Sequence, residues 1–457
     1  MRDCSNHKQQ VCAQIPLGRA AAFRVLSIYG QVGPDRTPSE EIRLNLRGRT
    51  APIWLMGMSN LSFGFFAGFI TVPLPQLLAA QHVPEAQIAS ITATVFSGGI
   101  GVFLLGPMLD VRFSRRFYAT LFAALAALCL MGGLLYSTHL EVLEVLMLLG
   151  FASAQLCTNA LGGWLATIVH QHDESKLSSW TWAATFAGNG LMAILAGELV
   201  RALPLLLAAV LLGLVVFVPT AIFLVMPSPG PDRRLARESF GQFFVEVIAV
   251  VRRREVLVAL ALFASPCASF ALTNTLGGFG NDFHASARVV SVVGGSGLSL
   301  AGIFGSLMFT PFAKLMRLRP LYLAIGAAGA VFTASLLLLH HTPATFSIAM
   351  VGENIFQALA YTGITAISFE TIGRSNPLAA TTYGLFNASS LVPLIYMQII
   401  DGRAYTSHGV TGSFLADAVV SLVACALLGL LLGFLRRRPA SPSSTGADGL
   451  ESEQPLT

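Results

Sequence analysis

Charged side chains are scarce in this sequence, which indicates that lipid rather than water surrounds most of the protein. Asp, Glu, Lys and Arg make up 11% of the 457 residues, against roughly 25% in soluble globular proteins. Apolar residues reach 54%, and the mean hydropathy is +0.69. A water-soluble core could not hide so much apolar surface, so we predict an all-α integral membrane protein. Soluble enzymes, disordered scaffolds and secreted disulfide modules are excluded.

Cysteine is also sparse, and its spacing excludes two kinds of site. The 6 cysteines are scattered along the chain and none belongs to a Cys-x-x-Cys pair, so neither a disulfide framework nor a cysteine metal site is predicted. His170 and His172 flank a short charged loop, which we interpret as solvated rather than metal-binding. A Walker P-loop is also missing from the sequence, so ATP hydrolysis is not expected. We therefore expect no metal and no cofactor.

Apolar runs long enough to cross a membrane recur along the chain. A hydrocarbon layer about 30 Å thick needs about 20 helical residues. A polar stretch separates six such runs from six more. We predict spans 1 to 12 over Ile53–Ala79, Ala86–Leu109, Phe117–Tyr136, Val145–Val169, Trp180–Val200, Leu203–Met226, Val256–Leu276, Val289–Phe312, Leu321–Leu339, Phe346–Phe369, Leu378–Ile400 and Phe414–Leu435.

Basic residues divide unevenly between the two sets of loops. Of the 28 Lys and Arg residues, only Arg201, Arg288 and Arg403 fall outside the two termini and the loops that follow the even-numbered spans. Because cytoplasmic loops carry the excess of Lys and Arg, both termini are predicted to be cytoplasmic, in a plasma membrane and most simply a bacterial inner membrane. The same distribution explains the net charge of +5 without a nucleic-acid partner.

The two halves of the sequence repeat each other in the same orientation. A constant shift maps the spans of the first half onto those of the second, and it aligns Pro107 with Pro311 and Arg115 with Arg319. A parallel six-span repeat is typical of transporters built from two pseudo-symmetric bundles around a shared site. We therefore predict an N-terminal segment, a first bundle, a linker, a second bundle and a tail, at residues 1–52, 53–226, 227–255, 256–435 and 436–457.

The segments outside the bundles differ in character. In the linker, apolar residues repeat at helical spacing before the basic run Arg252–Arg254, which predicts an amphipathic helix on the cytoplasmic face. A partly helical linker is the alternative interpretation. The polar N-terminal segment and the Ser- and Pro-rich tail are predicted to be disordered.

The loop after span 2 carries a recognisable motif. Residues 104–116 read Leu-Leu-Gly-Pro-Met-Leu-Asp-Val-Arg-Phe-Ser-Arg-Arg. This segment resembles the signature of the major facilitator superfamily, roughly GxLaDrxGrk, with Gly106 and Asp110 at the matching positions. Phe113 stands where the signature has its second glycine, and the first arginine is displaced to Arg112.

The resemblance covers residues 53–435 and implies twelve helices in two pseudo-symmetric six-helix bundles. It also implies that Asp110 is a gating residue, in a motif completed by Gly106, Arg112, Arg115 and Arg116. The alternative is that the three arginines only anchor the topology. The Pro-Met-Leu-Asp variant resembles the branch of muropeptide permeases and acetyl-coenzyme A transporters. Members of that branch move large amphiphilic solutes, commonly by proton symport.

Glu353 is the one acidic residue well inside a predicted span. An ionisable group at membrane depth is costly and is a functional candidate for that reason. Low-dielectric surroundings disfavour the charged form of a carboxyl, so such a group can take up and release a proton during transport. We predict that Glu353 accepts a proton, while Gln357 and Tyr361, at helical spacing from it, and the adjacent Asn354 contact solute. The alternative is a structural Glu353 bonded to a neighbouring helix.

Other polar residues within the spans are candidates for the wall of the solute cavity. For each of them, hydrogen bonding between helices is the alternative role. Trp180 and Trp182, at the start of span 5, are interpreted as interfacial anchors, with a stacking platform as the alternative. The cavity candidates are Gln155, Asn159, Asn189, Asn60 and Asn387.

The distribution of charge narrows the class of solute. Lys and Arg do not occur in the middle of any predicted span, so a neutral, cationic or amphiphilic solute fits better than a phosphorylated one. The leading hypothesis is a monomeric proton-coupled symporter of a muropeptide-like or siderophore-like solute. An uncoupled facilitator or an exporter of another solute is the alternative. A membrane-embedded enzyme acting on lipid-linked substrates is a weaker hypothesis, with Asp282 and His284 as its best candidate groups.

Overall fold

The computed structural model describes residues 51–110, 113–170, 172–227, 240–374 and 376–437, which are helical and contain no strand. Nine helical segments in these ranges are long and apolar enough to cross a membrane. In chain order they are Ile53–Ala80, Ser90–Leu109, Arg115–Leu135, Leu140–Ile168, Glu174–Ala202, Leu205–Leu224, Arg288–Ala313, Leu318–Leu336 and Ala379–Phe434.

Two features reconcile these segments with twelve spans. The last segment belongs to the helix Ala379–Arg437, which is two spans joined at His408 and Gly409. Gly409 has φ 63°, a conformation that glycine adopts without a steric penalty, and the chain turns back there. Spans 7 and 10 complete the set. Span 10 is the helix Pro343–Ile372, so every predicted span has a helical counterpart and the predicted fold class is confirmed.

Several spans are interrupted, which hydropathy alone does not indicate. Span 1 consists of three helices, Ile53–Met58, Leu61–Thr71 and Pro73–Ala80, and span 2 of Glu85–Gly101, a 3₁₀ turn and Gly106–Leu109. Span 8 contains a π-helical segment between Ala287–Val292 and Leu298–Ala313.

Span 7 is the most interrupted of these spans. Its pieces are Arg254–Phe263, Pro266–Ala268, Leu272–Thr275 and Leu276–Asn281. Pro266 has no backbone N–H to donate, and its ring excludes the preceding helical turn. Phe270, between the second and third pieces, has φ 47°.

Glycines bring the helices of each bundle close together. A Cβ at Gly64 would collide with the backbone of Thr185, and one at Gly68 would collide with that of Asn189. Spans 1 and 5 therefore pack backbone to backbone. Gly305 lies in the same way against Ile355 of span 10. Small residues allow this close approach, which supplies the dispersion contacts that hold helices together in lipid.

A helix over Phe240–Val251 lies where the amphipathic linker helix is predicted, and its place at a membrane surface stays a prediction. The last helix continues through Arg437, slightly into the predicted tail. The predictions of disorder for residues 1–50 and 438–457 fall outside the described residues. The domain boundaries stay predictions.

Candidate functional site

The two bundles join most closely at one end of the molecule. We call this the basic end: the end of the helices that carries the loops after spans 2, 4, 8 and 10, with Asp110, Arg115, Lys176, Lys314 and Arg374. The other end of the helices is called the opposite end. The contacts between the bundles are described from the basic end inward.

Asp110 connects span 2 to the start of span 11. Its carboxylate accepts hydrogen bonds from the backbone N–H groups of Ala380 at 3.1 Å and Thr381 at 2.7 Å, and from the Thr381 hydroxyl at 2.7 Å. A carboxylate at a helix N-terminus satisfies unpaired N–H groups and interacts favourably with the helix dipole. Asp110, only 6% exposed, therefore caps a helix that belongs to the other bundle.

Arg115 completes this contact, which we call the Asp110 latch. Its Nε donates to Asp110 at 2.8 Å, and its guanidinium also donates to the carbonyl of Pro377 at 2.7 Å. Gly106 packs against the backbone of Thr381, so a Cβ at that position would lie 3.3 Å from the Thr381 Cα. Two residues of the predicted gating motif besides Asp110 thus contribute to the latch. Arg112 lies outside the described residues, and Arg116 is half-buried on span 3.

Further hydrogen bonds join the bundles at the basic end. Arg374 Nε donates to the carbonyl of Val169 at 2.8 Å. The hydroxyls of Ser179 and Thr310 lie 2.8 Å apart, and Thr310 also donates to the carbonyl of Ser175. These bonds close the basic end on both sides of the molecule, through spans 4 and 10 and through spans 5 and 8.

Trp182 and Tyr361 form an aromatic contact between spans 5 and 10. Their rings stack with centroids 4.6 Å apart and planes 14° apart, and Trp182 Nε1 donates to the Thr365 hydroxyl at 2.8 Å. The interpretation of Trp182 as an interfacial anchor is wrong, because its ring lies between the bundles. The sequence indicates an anchor because Trp182 follows a loop, where membrane tryptophans concentrate.

We expect Trp182→Ala to destabilise the protein by about 2 kcal/mol, since it removes a stacked pair worth roughly 0.5–1.5 kcal/mol and a hydrogen bond of similar worth. The measurement is thermal unfolding of the purified protein in detergent. Trp182→Phe keeps the stacking and should recover about half of the loss. Trp54, which is 50% exposed, supplies the control: Trp54→Ala should have a small effect. Equal losses for the two Ala variants would contradict the proposed packing role.

A second contact between the bundles is made of amides. Asn387 of span 11 donates to Gln155 and to Asn159 of span 4, each at 3.3 Å. Gln155 and Asn159 are buried. Three of the predicted cavity residues thus meet at mid-depth between the bundles. Among the described residues, the hydrogen bonds between the bundles lie at the basic end or at mid-depth, so the bundles are tied together on that side.

The remaining predicted cavity residues contact helices of their own bundle. Asn60 donates to Thr185 at 2.7 Å and accepts from Thr158. Gln357 donates to Thr273 at 2.6 Å and accepts from Asn354 at 3.3 Å. These partners match the alternative role of hydrogen bonding between helices. Asn189 differs, because its buried Oδ1 has no partner.

Glu353 points into the second bundle rather than toward Tyr361 at the bundle interface. Its side chain is 0% exposed. One carboxyl oxygen accepts a short hydrogen bond from Thr333 of span 9, and the other has no partner. The shared helix face that the sequence indicated does not bring these side chains together, since their partners lie on different neighbours.

Asp401, directly after predicted span 11, and Asp417, near the start of predicted span 12, are buried. Asp401 is 1% exposed and Asp417 is 3% exposed. The polar run after Asp401 ends the hydropathic signal of span 11 at Ile400, but the helix continues to the turn at Gly409. The residues that follow Asp401 are mostly polar or glycine, so the sequence gives no signal that the helix continues past it.

A cavity of about 810 Å³ opens at the basic end, between the loop before span 5 and the loop between spans 8 and 9. Its wall mixes charges of both signs, contributed by Glu174, Lys176, Arg254, Glu255, Lys314, Arg317, Arg319 and Glu370. The cavity lies at the same end as the contacts that join the bundles, because Ser175 and Thr310 line its wall and also form one of those contacts.

Comparisons with known proteins give the following matches. A family model described as Major Facilitator Superfamily matches residues 55–396. No curated protein matches the sequence significantly. The structure is similar to the E. coli fucose:proton symporter FucP, with TM-score 0.64, 14% identity and coverage of 83% of this chain and 98% of that chain.

Two further solved structures are similar over most of their length. The proton:xylose symporter XylE, bound to 6-bromo-6-deoxy-D-glucose, has TM-score 0.59 and 13% identity, with 83% of this chain and 95% of that chain covered. A bacterial homologue of the iron transporter ferroportin, in an outward-facing state with soaked iron, has TM-score 0.58 and 16% identity, with 85% and 100% covered.

Proposed function

Since the chain belongs to the major facilitator superfamily, it is a membrane transporter rather than an enzyme, and we propose that it moves a solute by proton-coupled symport. In this proposal the two bundles rock about the contacts between them and expose the solute site to each side in turn. The observation that carries the proposal is the Asp110 latch, because Asp110 and Arg115 of the first bundle hold backbone groups of the second. Such a contact must break for the basic end to open.

The proposed orientation places the basic end in the cytoplasm, with both termini there, in a bacterial inner membrane. The excess of Lys and Arg at that end supports this orientation. Contacts between the bundles at the basic end then correspond to a transporter that is open outward. A FucP structure with TM-score 0.62 to this chain is described as being in the outward conformation.

The proposed solute is neutral, cationic or amphiphilic, with muropeptide-like and siderophore-like compounds as first candidates. The groups that meet between the bundles are amides and aromatic rings: Gln155, Asn159, Asn387, Trp182 and Tyr361. Amides can donate and accept hydrogen bonds, and stacked rings offer an apolar surface. Thermal stabilisation of the purified protein by a panel of muropeptides, siderophores, sugars, peptides and acyl thioesters would identify the class.

The proposed proton acceptor is Glu353. Its complete burial and its unpaired carboxyl oxygen support a side chain that holds a proton, because a buried unpaired charge is very costly. Two of the similar structures are described as proton symporters, in agreement with the proposal.

Glu353→Gln tests the coupling. We expect the variant to lose solute accumulation driven by a pH gradient in proteoliposomes, while counterflow exchange continues, because Gln can form hydrogen bonds but cannot carry a proton. Glu198→Gln, at an exposed residue near the opposite end, is the control and should behave like the unmodified protein. Accumulation that survives Glu353→Gln would contradict the role of Glu353. If uptake by the unmodified protein does not depend on the pH gradient, the result would favour an uncoupled facilitator.

A further inference from the structure

The second bundle contains three buried carboxyl groups on three different spans: Glu353 on span 10, Asp401 on span 11 and Asp417 on span 12. Their exposures are 0%, 1% and 3%. Asp401 and Asp417 lie at matching positions before and after Gly409 in the turn between spans 11 and 12, and span 10 shares a buried hydrophobic cluster with span 12 through Met350 and Phe414. The turn at Gly409 brings the two aspartates together. Across this turn, the Ser413 hydroxyl donates to the backbone carbonyl of Asp401 at 2.9 Å.

Most oxygens of these carboxyl groups have no hydrogen-bond partner. Both carboxyl oxygens of Asp401, one of Asp417 and one of Glu353 are buried and unpaired. Buried polar atoms in proteins nearly always have a partner, and carboxylates can only accept hydrogen bonds. Protonated carboxyl groups, in contrast, can donate to one another. The unpaired oxygens therefore indicate that these groups bind either protons or a cation.

No basic side chain in the described part of the chain forms an ion pair with any of the three. The charged and titratable groups of the second bundle at this end are Asp282, which accepts from Tyr405, and the exposed His284, Arg288, His340, His341, Arg403 and His408. On span 9 the contact is the neutral hydroxyl of Thr333. Negative charges without a basic partner at this depth would be very costly.

The arrangement favours protons over a metal ion. Within the described ranges, no group of three or more His, Cys, Asp or Glu side chains is arranged to hold a metal. Protons need no common centre and can be shared between neighbouring carboxyl groups. By helical rise, Asp401, Asp417 and Glu353 lie roughly 9, 11 and 15 Å from the ends of their helices at the opposite end, so the two aspartates lie nearer to that surface.

We propose that Glu353, Asp401 and Asp417 form a proton-binding cluster, the carboxyl cluster, which takes protons from the opposite end and passes them to Glu353. Each step moves one proton from solvent or from a carboxylic acid onto a carboxylate oxygen. The use of the cluster in coupling rests on the proposed function, whereas the binding of protons by the cluster does not. The two aspartates are thereby further proton-binding residues, in the interior of one bundle rather than between the two bundles.

Infrared spectroscopy tests proton binding without transport. In protein reconstituted into lipid vesicles, we expect a carbonyl stretch of protonated carboxyl groups that decreases as the pH is raised and shifts in D₂O. Asp401→Asn and Asp417→Asn should each reduce this band, and the double variant should lose most of it. Asp417→Glu should keep it, and Glu198→Gln should leave it unchanged. A double variant with the band of the unmodified protein, or with loss only of the ionised carboxylate band, would overturn the proposal.

Two further arms complete the test. Replacing choline with Na⁺ at constant ionic strength should change neither the band nor the thermal stability, and stabilisation by Na⁺ would overturn the proposal in favour of a cation site. In proteoliposomes, each Asn variant should shift the pH dependence of gradient-driven accumulation while counterflow continues, and unchanged pH dependence would overturn the relay to Glu353. If the unmodified protein shows no coupling, the proposed function fails, and the infrared result still decides whether the cluster binds protons.

Discussion

Asp110→Asn is expected to slow transport by a factor on the order of 10–100, because hydrogen bonds to charged groups contribute roughly 1.5–3 kcal/mol and each 1.4 kcal/mol changes an equilibrium constant tenfold. Asn keeps the shape of the side chain but not the charge that holds Arg115, Ala380 and Thr381. The state closed at the basic end loses stability, and the return to it becomes less favourable. Solute affinity should change much less, since Asp110 lies at the helix ends and not among the mid-depth amides.

The measurements are initial rates of uptake and solute dissociation constants for the same preparations. Asp173→Asn is the matched control, because Asp173 forms an exposed ion pair with Lys176 within span 5 and its loop, and such pairs contribute little. If Asp110→Asn leaves the kinetics unchanged, the arginines of the loop act only as topology anchors.

Gly163→Leu is expected to reduce transport at least as strongly. A Cβ at Gly163 of span 4 would collide with the backbone of Ala379 and Ala380 at the start of span 11, and backbone atoms cannot turn aside as a flexible side chain can. Overpacking of this kind costs roughly 1–3 kcal/mol or more. The larger side chain would therefore separate spans 4 and 11 and keep the basic end open.

The expected signature is a basic end that stays accessible to a thiol reagent at an introduced cysteine, together with loss of uptake. Gly197→Leu provides the control, because no atom lies within 4 Å of a Cβ at that position. Uptake and accessibility like those of the unmodified protein would show that the contact of spans 4 and 11 can open without affecting transport.

The fold was predictable because membrane thickness fixes the length of an apolar helix. The count of spans and the parallel repeat follow from that constraint. The interruptions do not: Pro266 could be read as a tolerated proline, and Phe270 gives no sign of its positive φ. Such breaks depend on neighbouring helices that satisfy the freed backbone groups, and a single sequence does not show which helices are neighbours.

The site was predictable in part, for a related reason. Asp110 stands out through its motif, but its partners at residues 380 and 381 lie in the other half of the chain and have no sequence signal. Trp182 looked like an anchor because it follows a loop. Asp401 and Asp417 lie at or beyond the predicted span ends because a predicted span ends where the apolar run gives way to polar residues. A helix can nevertheless continue through polar residues when their side chains point into the bundle.

Rocking of the two bundles is tested most directly by a pair of distance measurements, made by spin labelling in lipid vesicles. One pair of labels would replace Lys176 and Lys314 at the basic end, and the other Arg201 and Arg288 at the opposite end, all exposed positions. When solute is added, we expect the distance at the basic end to increase and the distance at the opposite end to decrease. Two distances that change in the same direction, or do not change while solute is transported, would contradict rocking of the two bundles.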